Sequence, residues 1–392
     1  MLPIVAVMLI LCASASAQRP FANPSLKRVD RAISRSAGYL ERICSPEGEF
    51  IYEVDALSGK ESDSYNIVRH AGAMYSLGML RGVHNNSQVN AALARSATYL
   101  RKNYVGPGIL PGQLAVWSKP LPLLSTAELG ATGLGLVALI EARRASPRSV
   151  SLYDLQRLGR FLLFLQREDG SFIHQYRPDT GPRSDWQSLY YPGEAALGLI
   201  SLYEVDHSHV WLAAAGKALS YLAESRAGSY EVPPDHWALI ATAKFLPYCA
   251  NGEYAPSRGK LLYHAVQITR ALLKAQQNRT DDPALDGAFD PNGRIAPTAT
   301  CIEGLLAALS FLPKDTELRA TIEASAARGV EFLLQAQITS GPYAGGMPRA
   351  YIYSTPSKIP IRIDYVQHSL SAWIQYQKVA GHRKIRRTTS PS

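Results

Sequence analysis

The chain repeats one structural plan six times, and this internal repeat constrains its fold more than any other feature. Two segments, which begin at Ser45 and Arg167, follow the plan most fully. Each runs from Gly-x-Phe through an aromatic-rich patch and a polar turn to an aromatic pair, and then into a stretch of small apolar residues. Four further segments follow the plan less fully and begin at Gly108, Gly228, Asp286 and Gly345.

A longer amphipathic segment precedes each of these units. Its apolar residues recur at helical spacing, and its charged residues occupy the opposite face. The six segments are 25–43, 87–104, 151–168, 209–225, 261–277 and 316–337. The chain is therefore predicted to form six helix pairs, in which the first helix is half exposed and the second is small, apolar and buried.

Two concentric rings of helices satisfy this difference directly. The predicted fold is all-α, an (α/α)6 toroid of six helical hairpins with short strand-like loops at one end. Small residues would let the inner helices approach closely, and they are Ala71, Gly72, Gly130, Gly133, Ala195, Ala196, Gly304 and Ala308. A linear solenoid is the competing arrangement, but its end units would need polar caps, which the sequence does not offer.

The turns between the paired helices carry a repeated motif. Gln166 and Gln337 each begin a Gln-x-x-x-Gly-x-aromatic pattern, and the spacing recurs at Glu224 and Cys44 with the glutamine replaced. This motif resembles the glutamine–aromatic repeat of the squalene cyclase and prenyltransferase superfamily, and the resemblance implies the toroid architecture over most of the chain. The catalytic signatures of that superfamily, such as Asp-x-Asp-Asp, are missing from the sequence. The same six-hairpin architecture is shared by many secreted glycosidases, polysaccharide lyases and uronyl epimerases.

Four segments are predicted along the chain. Residues 1–17 have the apolar region and the small-x-small cleavage site of a secretory signal. Residues 18–25 form a linker, 26–378 a single toroid domain, and 379–392 a basic disordered tail. We therefore expect a mature protein that is periplasmic or secreted and has no stable membrane span.

The formal net charge of +9 indicates the kind of partner to expect. Part of this charge lies in the basic tail, where a solvated end is the simplest explanation. The alternative for the tail is attraction to an anionic polymer, and the positive net charge as a whole favours an anionic sugar. A polysaccharide or oligosaccharide is the expected partner, and neither a nucleic-acid partner nor a cofactor is predicted.

The cysteines predict neither cross-links nor a metal site. Cys44, Cys249 and Cys301 would remain after removal of the signal, and no pair has a metal-like spacing. Cys249 and Cys301 are expected at opposite ends of neighbouring inner helices, too far apart for a disulfide bond. We therefore expect three free, largely buried thiols.

Each inner helix offers one ionisable residue near its start. Alignment of the helices on their small-residue runs gives His70, Glu128, Glu194, His236, Glu303 and His368. Because the inner helices run parallel, these side chains are predicted to surround the axis at one end of the barrel.

Helix capping is the alternative for the three glutamates. Ser125 and Thr300 each stand three residues before a glutamate, as in a capping box, and Pro192 would make Glu194 an N3 residue. For the histidines, the alternative is a neutral imidazole that is hydrogen-bonded within the core.

Two segments concentrate further polar groups. The first holds Tyr65, Asn66, Arg69 and His70, and the sixth holds Arg362, Asp364, Tyr365 and His368. Since the sixth hairpin closes the ring onto the first, these groups are predicted to be neighbours. Other candidates for the mouth are Tyr190, Tyr191, Asp235, Arg349 and Tyr351. Aromatic rings with arginines and carboxylates around a concave mouth suit sugar binding, although tyrosines packed in a core would have a similar sequence pattern.

The leading hypothesis is an exported carbohydrate-active enzyme. A glycoside hydrolase would need two carboxyl groups, and the candidates are Glu128, Glu194, Glu303 and Asp364. A lyase or uronyl epimerase would use Asn66 and Arg69 to neutralise a carboxylate, with His70, Tyr365 or His368 as the base. The predicted catalytic set is His70, Glu194, Glu303, Asp364 and His368, and the other candidates are assigned to substrate binding.

Two other hypotheses remain open. The toroid could be a non-catalytic periplasmic protein that binds glycans or the cell wall. A metal-dependent enzyme could use His70, His368 and Asp364 as ligands, because two histidines and a carboxylate can hold zinc with one open position. No compact motif such as HExxH supports that site.

Overall fold

A computed structural model describes residues 23–389, apart from 82, 84–85, 124, 184, 250–256, 277–281, 315 and 352–356; beyond 381 it describes only the backbone. Twelve α-helices make up most of it. The outer helices are α1 (Leu26–Arg42), α3 (Ser87–Asn103), α5 (Leu152–Leu165), α7 (His209–Ser225), α9 (Arg258–Lys274) and α11 (Glu317–Ala336). The inner helices are α2 (Ile67–Leu80), α4 (Leu129–Ala145), α6 (Tyr191–Asp206), α8 (His236–Phe245), α10 (Ile295–Ala308) and α12 (Ile363–Thr389).

The two kinds of helix differ in burial as their sequences predict. Helix α1 buries Val29, Ile33 and Leu40 on one stripe and exposes charged residues on the other face. Helix α4 is buried over almost its whole length. Burial on every side is possible only for a helix enclosed by other helices, so the hydrophobic core lies between and inside the two rings.

The inner helices form a closed ring. Each contacts the next in the order α2, α4, α6, α8, α10 and α12, and α12 in turn contacts α2. Glycines make the closest approaches possible: a Cβ atom on Gly198 would lie 2.7 Å from the carbonyl oxygen of Gly133. The predicted all-α toroid is confirmed, and the open solenoid is wrong.

Seven short strands lie in loops that lead from an outer helix into an inner one. They are β1 (Glu53–Asp55), β2 (Val105–Pro107), β3 (Leu114–Val116), β4 (Ala127–Glu128), β5 (Gln175–Arg177), β6 (Gly181–Arg183) and β7 (Pro360–Arg362). They form the antiparallel groups β1–β7, β2–β3 and β4–β5–β6. All of them lie at the end where the inner helices begin, as predicted. Strand β1 pairs with β7 and places Glu53 opposite Arg362, which joins the first hairpin to the last.

The glutamine motif fastens each turn to the next outer helix. The side-chain amide of Gln166 donates to the carbonyl of Ala214 at 2.9 Å, and that of Gln337 donates to the carbonyl of Ala32 at 2.9 Å. In the first repeat the thiol of Cys44 replaces the amide and contacts the carbonyl of Ala92 at 3.7 Å. The motif therefore holds neighbouring hairpins together.

The structure describes little of the predicted N-terminal segments and more of the predicted C-terminal tail. The predicted signal at 1–17 and most of the linker at 18–25 lie outside the described residues. The tail at 379–392 stays a prediction, and the described backbone of α12 continues through 379 as far as Thr389. Within the described residues, no helix is long and apolar enough to cross a membrane.

The described cysteines form no disulfide bond with one another. Cys44 and Cys301 are buried free thiols, and Cys249 is half-buried. Burial raises the pKa of the Cys301 thiol to about 12. The prediction of uncrosslinked thiols is confirmed, and Cys249 is more exposed than expected.

Candidate functional site

Three side chains meet on the axis of the barrel and form what we call the axial cluster: His236, Glu303 and His368. They lie on α8, α10 and α12, and one ligand-type atom from each lies within 4.8 Å of the others. The rings of the two histidines are 5.8 Å apart and nearly perpendicular. Gly304 makes this approach possible, because a Cβ atom there would lie 3.1 Å from the Cβ atom of His236.

His236 is a buried histidine without a hydrogen bond. Both of its ring nitrogens are buried and have no partner. Burial, followed by the nearby His368, lowers the pKa of His236 well below its ordinary value, so the imidazole is neutral. Most buried polar groups in proteins are satisfied, and an exception of this kind is typical of a functional position.

The start of α8 is held in place around His236. Asp235 caps this helix by accepting a hydrogen bond from the backbone N–H of Ala238 at 3.0 Å. Its other carboxylate oxygen accepts from Arg226 at 2.9 Å. Asp235, predicted as a substrate-binding residue, is fully buried, and in this arrangement it positions the adjacent His236.

Glu303 and His368 form a buried pair beside His236. Nδ1 of His368 lies 2.8 Å from a carboxylate oxygen of Glu303, and the hydroxyl of Ser371 donates to the other oxygen. Burial raises the pKa of Glu303, and the contact with His368 opposes this effect. A carboxylate at Nδ1 fixes the tautomer of the ring and leaves Nε2 as its second functional atom.

Glu194 contributes a buried carboxyl group on α6, the inner helix that contacts α8. It is the fourth residue of α6, is only 4% exposed, and has one carboxylate oxygen that is buried without a partner. Burial raises the pKa of Glu194 to about 8, and the negative charges of Asp235 and Glu128 act in the same direction. The carboxyl group therefore carries its proton at neutral pH.

This shift gives Glu194 a specific effect on stability against pH. Between the unfolded pKa near 4.5 and the folded value near 8, the folded state holds a proton that the unfolded state lacks. Stability from this group is present at low pH and falls as pH rises, by about 1.4 kcal/mol per pH unit. We expect Glu194→Gln to gain stability relative to wild type across this window, measured by urea unfolding at several pH values. A constant difference would contradict the assignment.

Two aromatic residues close the axis. Tyr75 on α2 and Trp237 on α8 come from opposite sides of the ring, and their rings are 6.0 Å apart. Trp237 is also 6.3 Å from the ring of His368. These two residues were missed in the sequence, where the available signal was a large aromatic residue within a run of small ones.

Tyrosines occupy the level above. The ring of Tyr190 lies 5.0 Å from that of His236 and is partly exposed. The hydroxyl of Tyr191 donates to Glu128 at 3.3 Å, and the same carboxylate accepts from Gln175 at 3.0 Å. Tyr190 can therefore contact a molecule that enters the cluster, whereas Tyr191 and Glu128 are held by each other.

The prediction that His70 shares this cluster is wrong. Its ring is completely buried between helices, with Nδ1 at 2.7 Å from the hydroxyl of Tyr65 and Nε2 at 3.0 Å from the carbonyl of Ser96. It also packs against the ring of Phe50. Burial lowers the pKa of His70 to about 4, so it is a neutral, satisfied histidine of the core.

Capping boxes do not explain the glutamates. Glu128 is itself the N-cap residue of α4 and makes no side-chain capping bond. Glu303 lies in the interior of α10, well beyond its first turn. Glu194 is the fourth residue of α6, one position later than predicted, and one of its carboxylate oxygens is buried without a partner. The capping boxes predicted from Ser125 and Thr300 are wrong.

The first and sixth polar segments are neighbours, as predicted. Asp364 accepts hydrogen bonds from Arg69 at 3.0 Å and from Arg362 at 2.7 Å. Arg69 also donates to the hydroxyl of Tyr52 at 2.6 Å. Asn66 caps α2 by accepting from the backbone N–H of Arg69. Asp364 and Asn66 thus fix the arginines at the mouth and have their own oxygens occupied.

A cavity of about 430 Å³, which we call the rim cavity, opens beside these residues. Its polar lining consists of Glu53, Arg294, Arg349, Arg362 and Tyr365. The guanidinium of Arg362 lies 4.5 Å from the centre of the Tyr365 ring. Of these, Glu53 and Arg294 were missed in the sequence.

Tyr351, predicted as a companion of Arg349, is not part of the rim-cavity lining. Its ring lies 6.0 Å from that of Phe332.

Comparison with known proteins confirms the fold. No protein-family model matches the chain, and no curated protein matches its sequence. A D-mannose isomerase has a similar structure, with a TM-score of 0.66 and 13% identity over 91% of this chain and 98% of the other. The cellobiose 2-epimerase of Bacillus thermoamylovorans has a TM-score of 0.67 and 12% identity, over 90% of this chain and 99% of the epimerase. A type II terpene cyclase from Scytonema has a TM-score of 0.56 and 14% identity, over 91% of this chain and 99% of the cyclase. The chain has the toroid architecture that the sequence motif predicts.

Proposed function

We propose that the protein is a carbohydrate-active enzyme that moves a proton at a sugar carbon, as a sugar isomerase or epimerase. The observation that carries this proposal is the axial cluster, in which a neutral histidine without partners faces a histidine paired with a carboxylate. The similarity in fold to a sugar isomerase and a sugar epimerase supports it.

The two histidines have environments suited to opposite roles. Burial keeps His236 neutral, and neither ring nitrogen has a partner, so the ring can accept a proton. The contact of Glu303 with Nδ1 of His368 orients that ring and leaves Nε2 as the atom that can deliver a proton. An imidazole free to accept a proton beside an oriented second imidazole suits acid–base catalysis.

The reaction can be written with these groups. His236 takes the proton from the carbon next to the sugar carbonyl, the C–H electron pair forms a C=C bond, and the carbonyl electrons move to oxygen. Glu194 donates a hydrogen bond to that oxygen. In epimerisation, His368 returns a proton to the same carbon from the other face. In isomerisation, protonated His236 returns its proton to the former carbonyl carbon, and the C=C electron pair forms the new C–H bond. The neighbouring hydroxyl oxygen becomes the new carbonyl as its proton passes to the former carbonyl oxygen.

The two histidines are close enough to act on one sugar. Their ring centres are 5.8 Å apart, and one nitrogen of each lies within 4.8 Å of the other. A sugar carbon placed beside both rings could therefore exchange protons with each of them. Tyr75 and Trp237 form a floor beneath them, so the substrate would enter from the end that carries the rim cavity.

Hydrolysis is less well supported by the carboxyl groups. Glu303 is occupied by His368 and Ser371, and Asp364 is occupied by two arginines. A glycosidase needs two carboxyl groups free to reach the scissile bond. Among the predicted candidates this leaves Glu194, which has one unpartnered oxygen, and Glu128, which is held by Gln175 and Tyr191.

A metal-dependent enzyme is a second candidate, which the geometry of the axial cluster favours. Two histidines and a carboxylate with ligand atoms within 4.8 Å suit a divalent cation. This set differs from the one predicted, because His70 and Asp364 are bound elsewhere. Metal analysis of the purified protein separates the candidates: acid–base chemistry needs no stoichiometric metal, whereas a metal enzyme loses activity with a chelator.

Export is part of the proposal and rests on the sequence of residues 1–17. A periplasmic or secreted location suits an enzyme that acts on saccharides outside the cytoplasm. A protein that only binds glycans would retain its ligand without converting it, so turnover distinguishes that alternative.

The test is solvent exchange into sugars. The purified protein, incubated in D₂O with a panel of reducing sugars and uronic acids, should incorporate deuterium at the carbon next to the carbonyl, observed by NMR and mass spectrometry. His368→Gln should lower the rate by roughly 10²–10⁴-fold. Products with an unsaturated end would indicate a lyase instead, and ¹⁸O from water in a cleaved glycoside would indicate a hydrolase; either result would overturn proton transfer as the reaction.

A further inference from the structure

We propose that the rim cavity binds the carboxylate of an acidic sugar, so that the substrate is a uronic acid or a saccharide that contains one. This inference rests on the proposed function and specifies the class of its substrate. It is carried by an arginine that lines a cavity of about 430 Å³ and has no ion pair or side-chain hydrogen bond with the described residues.

Arg349 is the arginine that has no side-chain partner among the described residues. Its side chain is exposed and makes no ion pair or side-chain hydrogen bond with the described part of the chain. The adjoining segment 352–356 contains no acidic residue in the sequence. A cation at a cavity wall that lacks a protein partner is available to a ligand anion.

The backbone holds Arg349 in place. Its N–H donates to the carbonyl of Pro360 at 3.0 Å, and its carbonyl accepts from the N–H of Ile295 at 3.0 Å. These bonds connect it to β7 and to the start of α10. Arg349 therefore lies on a fixed part of the mouth, which reduces the entropy lost when it binds a ligand.

The other charged side chains around the cavity form ion pairs with one another. Arg294 pairs with Asp290 at 2.7 Å, and Arg362 pairs with Asp364 at 2.7 Å and with Glu53 at 3.7 Å. Arg69 also pairs with Asp364. Counting Arg349, the region therefore holds four arginines and three carboxylates, the carboxylates being those of Glu53, Asp290 and Asp364. One positive charge remains, and it belongs to Arg349.

The position of the cavity relative to the axial cluster fits one substrate. Tyr365 precedes His368 by three residues on α12, which corresponds to about 5 Å along the helix axis. Pro297 precedes Glu303 by six residues on α10, which corresponds to about 9 Å. One or two linked sugars span this distance, so a carboxylate in the rim cavity places the same or the next sugar at the histidines.

Binding of D-glucuronate and D-glucose by calorimetric titration tests the inference. We expect wild type to bind D-glucuronate about tenfold or more tightly than D-glucose, and Arg349→Ala to remove that preference, since a charge-assisted pair is worth this much. Arg349→Lys should restore part of it. The matched control is Arg270→Ala, which removes the same charge from the exposed face of α9 and should leave both affinities unchanged.

Each outcome has a meaning. Equal affinities for the two sugars in wild type, or an equal loss in Arg270→Ala, would overturn the rim cavity as a carboxylate site. Equal binding of glucose 6-sulfate and glucuronate would overturn the choice of carboxylate over sulfate. Titration needs no turnover, so loss of deuterium exchange with retained preference for glucuronate contradicts the proposed function alone.

Discussion

Replacing His236 with leucine should slow proton transfer strongly while leaving the fold at least as stable as the wild type. The rate of deuterium exchange should fall by roughly 10²–10⁴-fold, because the base is lost. Both ring nitrogens of His236 are buried without partners, so an apolar side chain removes an unsatisfied polar group. The free energy of unfolding should be unchanged or rise by about 1 kcal/mol, measured by urea denaturation.

His70→Leu is the matched control, because His70 is also buried and neutral. It should show the opposite result. The substitution leaves the hydroxyl of Tyr65 and the carbonyl of Ser96 without the imidazole, which costs about 2 kcal/mol of stability. Exchange per folded molecule should persist. A folded His70→Leu protein without activity, or a His236→Leu protein that is strongly destabilised, would contradict these assignments.

The fold could be predicted from sequence because its signal is repeated. Six amphipathic segments alternate with six apolar ones, and this alternation alone requires an outer and an inner ring. The contact between Arg69 and Asp364 followed from closure of that ring. Because the alternation occurs six times, an irregular sequence in one repeat does not change the predicted fold.

The site was only partly predictable, because alignment of repeats fixes which helix a residue belongs to but not which way its side chain points. Successive residues on a helix differ by about 100° around its axis, so a small error in alignment turns a side chain from the axis to a neighbouring helix. His70 illustrates this: it lies on an inner helix but contacts Ser96 on α3. The alignment also selected His236, Glu303 and His368, which lie together in the fold although they stand at different distances from the starts of their helices.

The hydrogen-bond partners of the site carboxylates could not be predicted from the sequence either. Asp364 accepts from Arg362, two positions before it, but its second arginine, Arg69, is 295 positions away in the sequence. Glu303 likewise becomes part of a pair only when α10 and α12 meet. Local patterns carry no information on such pairings, so a carboxylate and its partner can be assigned only from the folded chain.

Alanine at Gly48 should have the largest effect on stability. Gly48 has a φ of +96°, and a Cβ atom there would lie 2.0 Å from the carbonyl oxygen of Arg95 on the next outer helix. Backbone cannot yield as a side-chain end can, so the turn and α3 must separate. The cost should exceed about 3 kcal/mol, since a steric clash adds to the 1–2 kcal/mol of a left-handed conformation.

Gly112→Ala measures the cost of the left-handed backbone conformation without the steric clash. Gly112 has a φ of +78°, but nothing lies within 4 Å of a Cβ atom at that position. Urea denaturation should give a loss of about 1 kcal/mol for Gly112→Ala. Gly170→Ala provides a measurable intermediate if the Gly48 variant does not fold, because its Cβ atom would lie 2.4 Å from the carbonyl oxygen of Lys217. Equal losses at Gly112 and Gly170 would mean that the turns do not pack against the next outer helix, and the role of the repeated motif in joining the hairpins would be wrong.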